Sequence, residues 1–321
     1  MNLIIFLFQT VKDMKKIEQN FEESPYYLAT RVKNFILAPV QNMVWSILDA
    51  SETFFKKRDP LTPPRRLMNV GSNQFTRSDF SKIGQELFQY LVQIGGLKPN
   101  DKVLDVGCGV GRMAIPLTRY LSAQGTYDGF DIVAKSIEQC AKTISPRFPN
   151  FNFYHADLFN SHYNPHGKYE PHQYKFPFPD KTFSFVLLTS VFTHMMSKEV
   201  QNYFNEIYRL LVPGGRCFIT YFLLNPESEE LIQSNRSSIN FMFPVDQGKS
   251  AKAFDPEAAV AFNESYIKEL YQKFKLRIIE PIRYGSWCER KTSLGYYQDI
   301  IVGVKENGGS RHKEGSVVTK F

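Results

Sequence analysis

Cysteine and histidine are scarce in this chain, with four and six respectively among 321 residues. Cys108, Cys140, Cys217 and Cys288 lie too far apart for a zinc site and form no disulfide framework, which predicts a reducing compartment and a cytoplasmic protein. Long apolar runs are also missing from the start of the chain. Leu3 to Phe8 is an apolar run of six, too short to cross a bilayer. No positive residue precedes that run and no small-residue cleavage site follows it, so no signal peptide is expected. Nor is there a long basic tract with interleaved aromatics, the pattern of a nucleic-acid surface.

What is present is a basic excess, 39 Lys and Arg against 32 Asp and Glu, a net charge of +7. Residues 56–66, Lys-Lys-Arg-Asp-Pro-Leu-Thr-Pro-Pro-Arg-Arg, hold five positive charges and one negative, so the excess is concentrated rather than spread. An anionic partner is therefore not demanded by the charge. The aromatic content of 15% suits either a packed core or aromatic walls around an organic ligand, and core packing accounts for most of it.

The most informative segment is Val103-Leu104-Asp105-Val106-Gly107-Cys108-Gly109-Val110-Gly111-Arg112. An apolar strand runs here into a turn whose glycines let the backbone approach a ligand closely. A dinucleotide fingerprint, G-x-G-x-x-G, needs its third glycine at 112, where Arg112 stands. A carboxylate at Asp105 would also repel a pyrophosphate over the turn, while it favours a ligand bearing an ammonium group, as S-adenosyl-L-methionine does.

Further along, Asp131 ends the next expected strand, His155-Ala156-Asp157-Leu158 follows a third, and Phe183 to Ser190 forms a fourth before Leu210-Leu211-Val212-Pro213-Gly214-Gly215. With these elements in this order, the stretch from about 80 to 304 resembles the class I S-adenosylmethionine-dependent methyltransferases of the bacterial small-molecule type. The resemblance implies a doubly wound, seven-stranded, mostly parallel sheet with an antiparallel last strand. It implies a cofactor site of Asp105, Gly107, Cys108, Gly109, Gly111, Arg112, Asp131, Ile132, Asp157, Leu158, Thr189 and Ser190. Asp131 would take the ribose hydroxyls and Asp157 the adenine amino group. The family commonly has aspartate where Ser184 stands, a departure expected to touch stability rather than activity.

Alternation of apolar runs with helical spacing places strands near 103–106, 126–131, 151–155, 183–188 and 215–222. Helices are expected near 80–95, 111–122, 133–144 and 198–211, followed by a polar stretch over 225–253. A helix near 264–274 and strands near 276–283 and 297–304 complete the sheet. Residues 76–304 form the expected catalytic domain, with 225–262 as a lid or insertion. Residues 1–75 are expected to be a helical extension with a basic, Pro-rich linker, and 305–321 a disordered tail. Within the extension, Phe35, Ile36, Val40, Met43, Val44, Ile47 and Leu48 recur at helical spacing, with Pro39 at or near a break. Such a helix can cover a pocket, pack on a second subunit, or lie on a membrane surface.

His194, just past the fourth strand, is the candidate general base for an acceptor hydroxyl. It can equally cap or orient the next helix. His162, Tyr163, His166, Tyr169, His172 and Tyr174 crowd the segment 158–178, whose histidine spacings match no common zinc pattern, so a substrate-facing or solvated loop is expected and no metal. Gly285 to Cys288 and Tyr296 to Asp299 flank the last turn within reach of the same pocket. Thr189-Ser190-Val191-Phe192 is not the N/D-P-P-Y/F element of adenine or glutamine methylation, contains no cysteine nucleophile, and Asp180 alone is too little to hold magnesium. A small-molecule, sugar or lipid-linked hydroxyl is the expected acceptor, with an amine or thiol as the alternative. A cofactor-binding protein without turnover, or a peripheral membrane protein, is the rival from another class.

Overall fold

The computed structural model describes residues 38–55, 59–70, 73–74, 77–292 and 294–306. Expectations for Phe35, Ile36 and the tail beyond 306 lie outside them. The chain divides into two compact units, Met1–Phe80 and Ser81–Phe321.

In the first unit, helix α1 (Ala38–Phe54) begins with Pro39 in its first turn, where a missing N–H costs nothing. Its apolar face is open at Met43 and Ile47, while Asp49 is buried. The cause is Arg65, whose backbone N–H and guanidinium both donate to Asp49, at 3.0 and 2.8 Å, and which also pairs with Glu52. One positive charge of the basic segment is thereby taken up within the unit.

The second unit is built on a seven-stranded sheet. In chain order its elements are α2 (Arg77–Gln93), β1 (Lys102–Val106), α3 (Ala114–Leu117), β2 (Thr126–Asp131), α4 (Ala134–Thr143) and β3 (Phe151–His155). Then come β4 (Phe183–Leu188), α5 (Ser197–Leu210), β5 (Leu211–Tyr221), β6 (Leu223–Leu224), α6 (Pro226–Gln233), β7 (Phe243–Val245) and β8 (Gly248–Ser250). The last are β9 (Val260–Asn263), α7 (Glu264–Lys273), β10 (Leu276–Ile278) and β11 (Asp299–Lys305). The large sheet has the order β10-β11-β5-β4-β1-β2-β3, all parallel except β11, which runs against both its neighbours.

Both faces of the central strands are covered, which is why β1 and β4 read as continuous apolar runs rather than alternating ones. Against them α5 packs Val200, Tyr203, Phe204, Ile207 and Leu210, one stripe at helical spacing. Ser184 is structural: its hydroxyl donates to Asp101 at 2.7 Å and accepts the Lys102 N–H at 2.9 Å, joining the start of β1 to β4.

Two expectations are corrected. The helix expected over 111–122 is only Ala114–Leu117, because Gly111 is left-handed (φ 83°) and Pro116 supplies no N–H. The strand expected to reach 283 ends at Ile278. The polar stretch 225–253 is structured: it holds α6 and the hairpin β7–β8, which joins β9 and β6 in a second sheet of order β6-β9-β8-β7. Phe222, Leu224, Leu231, Phe241, Ala261, Trp287 and Cys288 form the core beside it.

Candidate functional site

In the large sheet Val106 is in register with Phe130 and Leu188, and Asp131 with His155. The segments that follow β1, β2, β3 and β4 therefore leave the sheet along one carboxyl edge, the usual ligand position in open α/β sheets.

The glycine turn hangs from β2: the N–H groups of Gly107 and Cys108 both donate to the Phe130 carbonyl, at 2.8 and 3.1 Å. The Asp131 carboxylate then accepts the Gly109 N–H on one oxygen and the Val133 N–H on the other, each at 2.8 Å. Burial pushes its pKa up, opposed by those bonds. A carboxylate has about four acceptor positions, so both oxygens keep a lone pair for a further donor.

Asp105 is wholly buried, with Tyr127 donating to Oδ2 at 2.5 Å and no partner on Oδ1 among the described residues. Burial raises its pKa to about 7. An orphaned buried carboxylate oxygen of this kind awaits a cationic or hydrogen-bonding group.

The glycines differ in what surrounds them. A Cβ at Gly107 (φ 77°) would come within 2.5 Å of Val191 Cγ2, whereas one at Gly109 (φ 52°) would meet nothing within 4 Å. Gly109 thus faces open space, into which a side chain would project. Gly109→Ala is expected to cost the fold about 1 kcal/mol through its left-handed backbone and to weaken S-adenosylmethionine binding far more. Thermal unfolding and calorimetric titration of the same preparation separate the two effects.

Other expected cofactor residues take distinct places. Cys108 is buried and its thiol faces the Gly109 carbonyl at 3.8 Å. Leu158 is fully buried, leaving only its backbone for a ligand, and Ile132 packs against the core. Asp157 is partly exposed, accepts from Asn164 at 3.2 Å and lies 3.9 Å from the Lys168 ammonium. Burial raises the pKa of both Asp105 and Tyr296, and the charge of Arg112 opposes the rise at each.

Beyond β4, Thr189 is buried and Ser190 adopts φ 61°. The Ser190 N–H donates to Thr220 Oγ1 at 2.8 Å, and both hydroxyls donate to Gln298 Oε1, at 2.9 and 2.7 Å. Gln298 therefore reaches the site from the last hairpin while its neighbour Asp299 turns inward.

His194 ends the short turn Phe192–His194. Its Nδ1 lies 2.9 Å from the Glu257 carbonyl, which can only accept, so Nδ1 carries the proton and Nε2 the lone pair. Tyr163 Oη lies 3.4 Å from that Nε2. Burial holds the His194 pKa below its ordinary value. The crowded loop folds here: His162 Nδ1 meets Asp255 at 2.8 Å, and the Ser161 N–H donates to Glu257 at 2.6 Å. His172 sits apart on Glu170 at 3.7 Å, and Asp180 is held by Arg209 at 2.8 Å. Glu257 and Thr220 were not signalled by the sequence.

A doubly wound sheet with an acidic strand end, a glycine turn and a second carboxylate at the edge defines a class I methyltransferase domain. Residues 103–215, the stretch that carries the glycine turn and Asp131, match the family described as methyltransferase domain. Among its relatives, the sterol 24-C-methyltransferase ERG6B of Gibberella zeae is 28% identical over 174 residues, covering 50% of this chain and 40% of its own. The demethylmenaquinone methyltransferase of Lysinibacillus sphaericus is 26% identical over 193 residues, covering 60% of this chain and 75% of its own. The chain thus spans under half the length of the fungal relative. Of solved structures, magnesium protoporphyrin IX methyltransferase from Synechocystis aligns with a TM-score of 0.46 at 17% identity, over 83% of this chain and 100% of that one.

Among the described residues, no helix is long and apolar enough to cross a membrane.

Proposed function

We propose that the protein transfers a methyl group from S-adenosyl-L-methionine to a hydroxyl oxygen of a small molecule, a sugar or a lipid-linked acceptor, with His194 as the final proton acceptor. When bound, the cofactor supplies an electrophilic methyl on a sulfonium. Asp105, with its unpartnered oxygen, would hold the ammonium end, Asp131 the ribose, and Asp157 the adenine amino group. Gly107, Gly109 and Gly111 would let the backbone close on the ligand.

The observation that carries the hydroxyl reading is the tautomer of His194. A neutral imidazole with Nδ1 fixed on a carbonyl and a lone pair on Nε2 is built to receive a proton, and an aliphatic hydroxyl, the least acidic of the candidate acceptors, needs that most. The two relatives are a demethylmenaquinone methyltransferase and a sterol 24-C-methyltransferase, the latter named for transfer to carbon. The position of the new methyl in the product distinguishes oxygen from carbon.

The test is transfer of labelled methyl from S-adenosylmethionine into a fractionated host extract, counting small-molecule, lipid, glycan, nucleic-acid and protein fractions. His194→Ala is expected to lower the rate by roughly a hundredfold with cofactor affinity unchanged, within the range for loss of a general base. An unchanged rate removes His194 from the chemistry.

A further inference from the structure

The nitrogen of His194 that can take a proton is already faced by a hydroxyl. Nδ1 is committed to the Glu257 carbonyl at 2.9 Å, and Tyr163 Oη stands 3.4 Å from Nε2 with the two rings edge to face, centroids 5.1 Å apart. An acceptor cannot meet the Nε2 lone pair directly without displacing Tyr163. We propose that Tyr163 is the residue that contacts the acceptor hydroxyl, relaying its proton to His194, and that Glu257 holds the pair in register from the inserted segment. This rests on the hydroxyl-methylation reading above.

The tyrosine has the properties a relay needs. Its loop is pinned on both sides of the phenol: Asn160 Oδ1 accepts the N–H groups of His162 and Tyr163, at 3.2 and 2.8 Å, while Asn160 Nδ2 donates to the His194 carbonyl at 3.0 Å. Ser161, two residues before Tyr163, gives both its N–H and its hydroxyl to the Glu257 carboxylate. Glu257 therefore fixes the tyrosine loop with its side chain and the histidine tautomer with its backbone. The charge of Asp131 acts on the phenol and, behind burial and together with Asp255, keeps it protonated with its pKa pushed up to about 12. The next residue, Asn164, donates to Asp157 at 3.2 Å and to the Leu158 carbonyl at 2.9 Å, which ties the tyrosine loop to the segment that follows β3. The hydrogen bond is long, as such bonds often are before a substrate closes the site.

In the transfer, the acceptor O–H bond breaks as its oxygen bonds the methyl carbon, and the S–C electron pair returns to sulfur. The acceptor proton passes to Tyr163 Oη while the proton of Tyr163 passes to His194 Nε2. Tyr163 ends as it began, and the imidazolium so formed is stabilised by the Glu257 carbonyl on Nδ1 and by the nearby Asp255 carboxylate before it loses its proton to solvent. The depressed pKa of His194 favours that last release.

Tyr163→Phe keeps the ring and removes only the relay oxygen. Two readouts test it. In nitrogen-proton correlation spectra of the full chain without acceptor, His194 is expected as the Nδ1–H tautomer, and Tyr163→Phe is expected to move the Nε2 resonance and leave Nδ1 in place. In labelled-methyl transfer into the host extract, Tyr163→Phe and His194→Gln are each expected to lose roughly a hundredfold. The double variant should be no worse than either, as for residues acting as one unit. A Tyr163→Phe protein within twofold of the parent, or an Nε2–H tautomer at His194, overturns the relay and leaves the hydroxyl reading standing. A parent protein that binds S-adenosylmethionine and labels no fraction overturns the hydroxyl reading, and the relay with it.

Discussion

Asp105→Asn is expected to weaken S-adenosylmethionine binding by a hundredfold or more while making the ligand-free protein more stable above neutral pH. Both effects follow from one buried carboxyl. Asp105 is fully buried with one oxygen unpartnered, and its pKa is raised from 3.8 to about 7 by burial, which outweighs the lowering by Tyr127. A raised folded pKa means that the native state disfavours the ionised form. Stability from this group is present below about pH 4 and lost as pH rises through 7, a penalty on the order of 4 kcal/mol for a shift of about three units. Asparagine cannot ionise and escapes the penalty. An ammonium group reverses the balance, because it needs the ionised carboxylate, and removing one partner of such a buried charged pair costs about 2–5 kcal/mol.

The parent protein should therefore release a proton on binding. Its affinity should rise about tenfold per pH unit up to 7 and level off beyond. Calorimetry in two buffers of different ionisation enthalpy measures the proton, and denaturant unfolding at pH 5 and pH 8 measures the stability. Affinity independent of pH from 5 to 8 would show that Asp105 does not meet the ammonium.

Asp299→Ala is expected to destabilise the second unit by about 3–5 kcal/mol, the cost of leaving several buried donors without an acceptor at about 1–3 kcal/mol each. Asp299 is wholly buried at the start of β11. Its oxygens accept the Gly285 N–H at 2.7 Å, the Leu223 N–H at 2.8 Å and the Trp287 indole N–H at 2.8 Å, with the Arg290 guanidinium at 3.4 Å. Alanine would strand three neutral donors and remove one of the partners of Arg290, which keeps Glu227 at 2.7 Å and Asn225 at 3.0 Å. Burial lifts the Asp299 pKa to about 6, so its ionisation itself costs some stability as pH rises through 6, yet the donors it satisfies outweigh that cost. Urea unfolding gives the difference directly. A loss under about 1 kcal/mol would mean that water replaces the carboxylate, and that the junction of the two sheets is not held from this point.

Much of the scaffold was legible because it is written locally. The continuous apolar runs of β1 and β4 announce strands buried on two faces. The stripe from Val200 to Leu210 announces a helix with one buried side. Glycines beside Asp105, and Asp131 about twenty residues on, placed the candidate cofactor residues along one edge before any contact was known, because parallel crossover connections leave few alternatives. His194 stands out by its position after the fourth strand, and Ser184, where the resembled family commonly has aspartate, bonds to Asp101 and Lys102.

What the sequence by itself determined, then, is the order of strands and helices and the identity of the carboxylates and glycines at the ends of those strands. These depend on periodicities of two and about 3.6 residues and on single-residue backbone preferences, all readable within a short window. Tertiary structure alone decided which distant side chains meet. Glu257 on His194 and Gln298 on Ser190 join residues 63 and 108 positions apart. The gathering of Gly285, Leu223 and Arg290 around Asp299, and the pairing of β8 with β9 in a stretch that reads as a lid or insertion, are of the same kind. Such partners leave no local pattern, because a buried polar group is satisfied by whichever donor the completed fold brings to it.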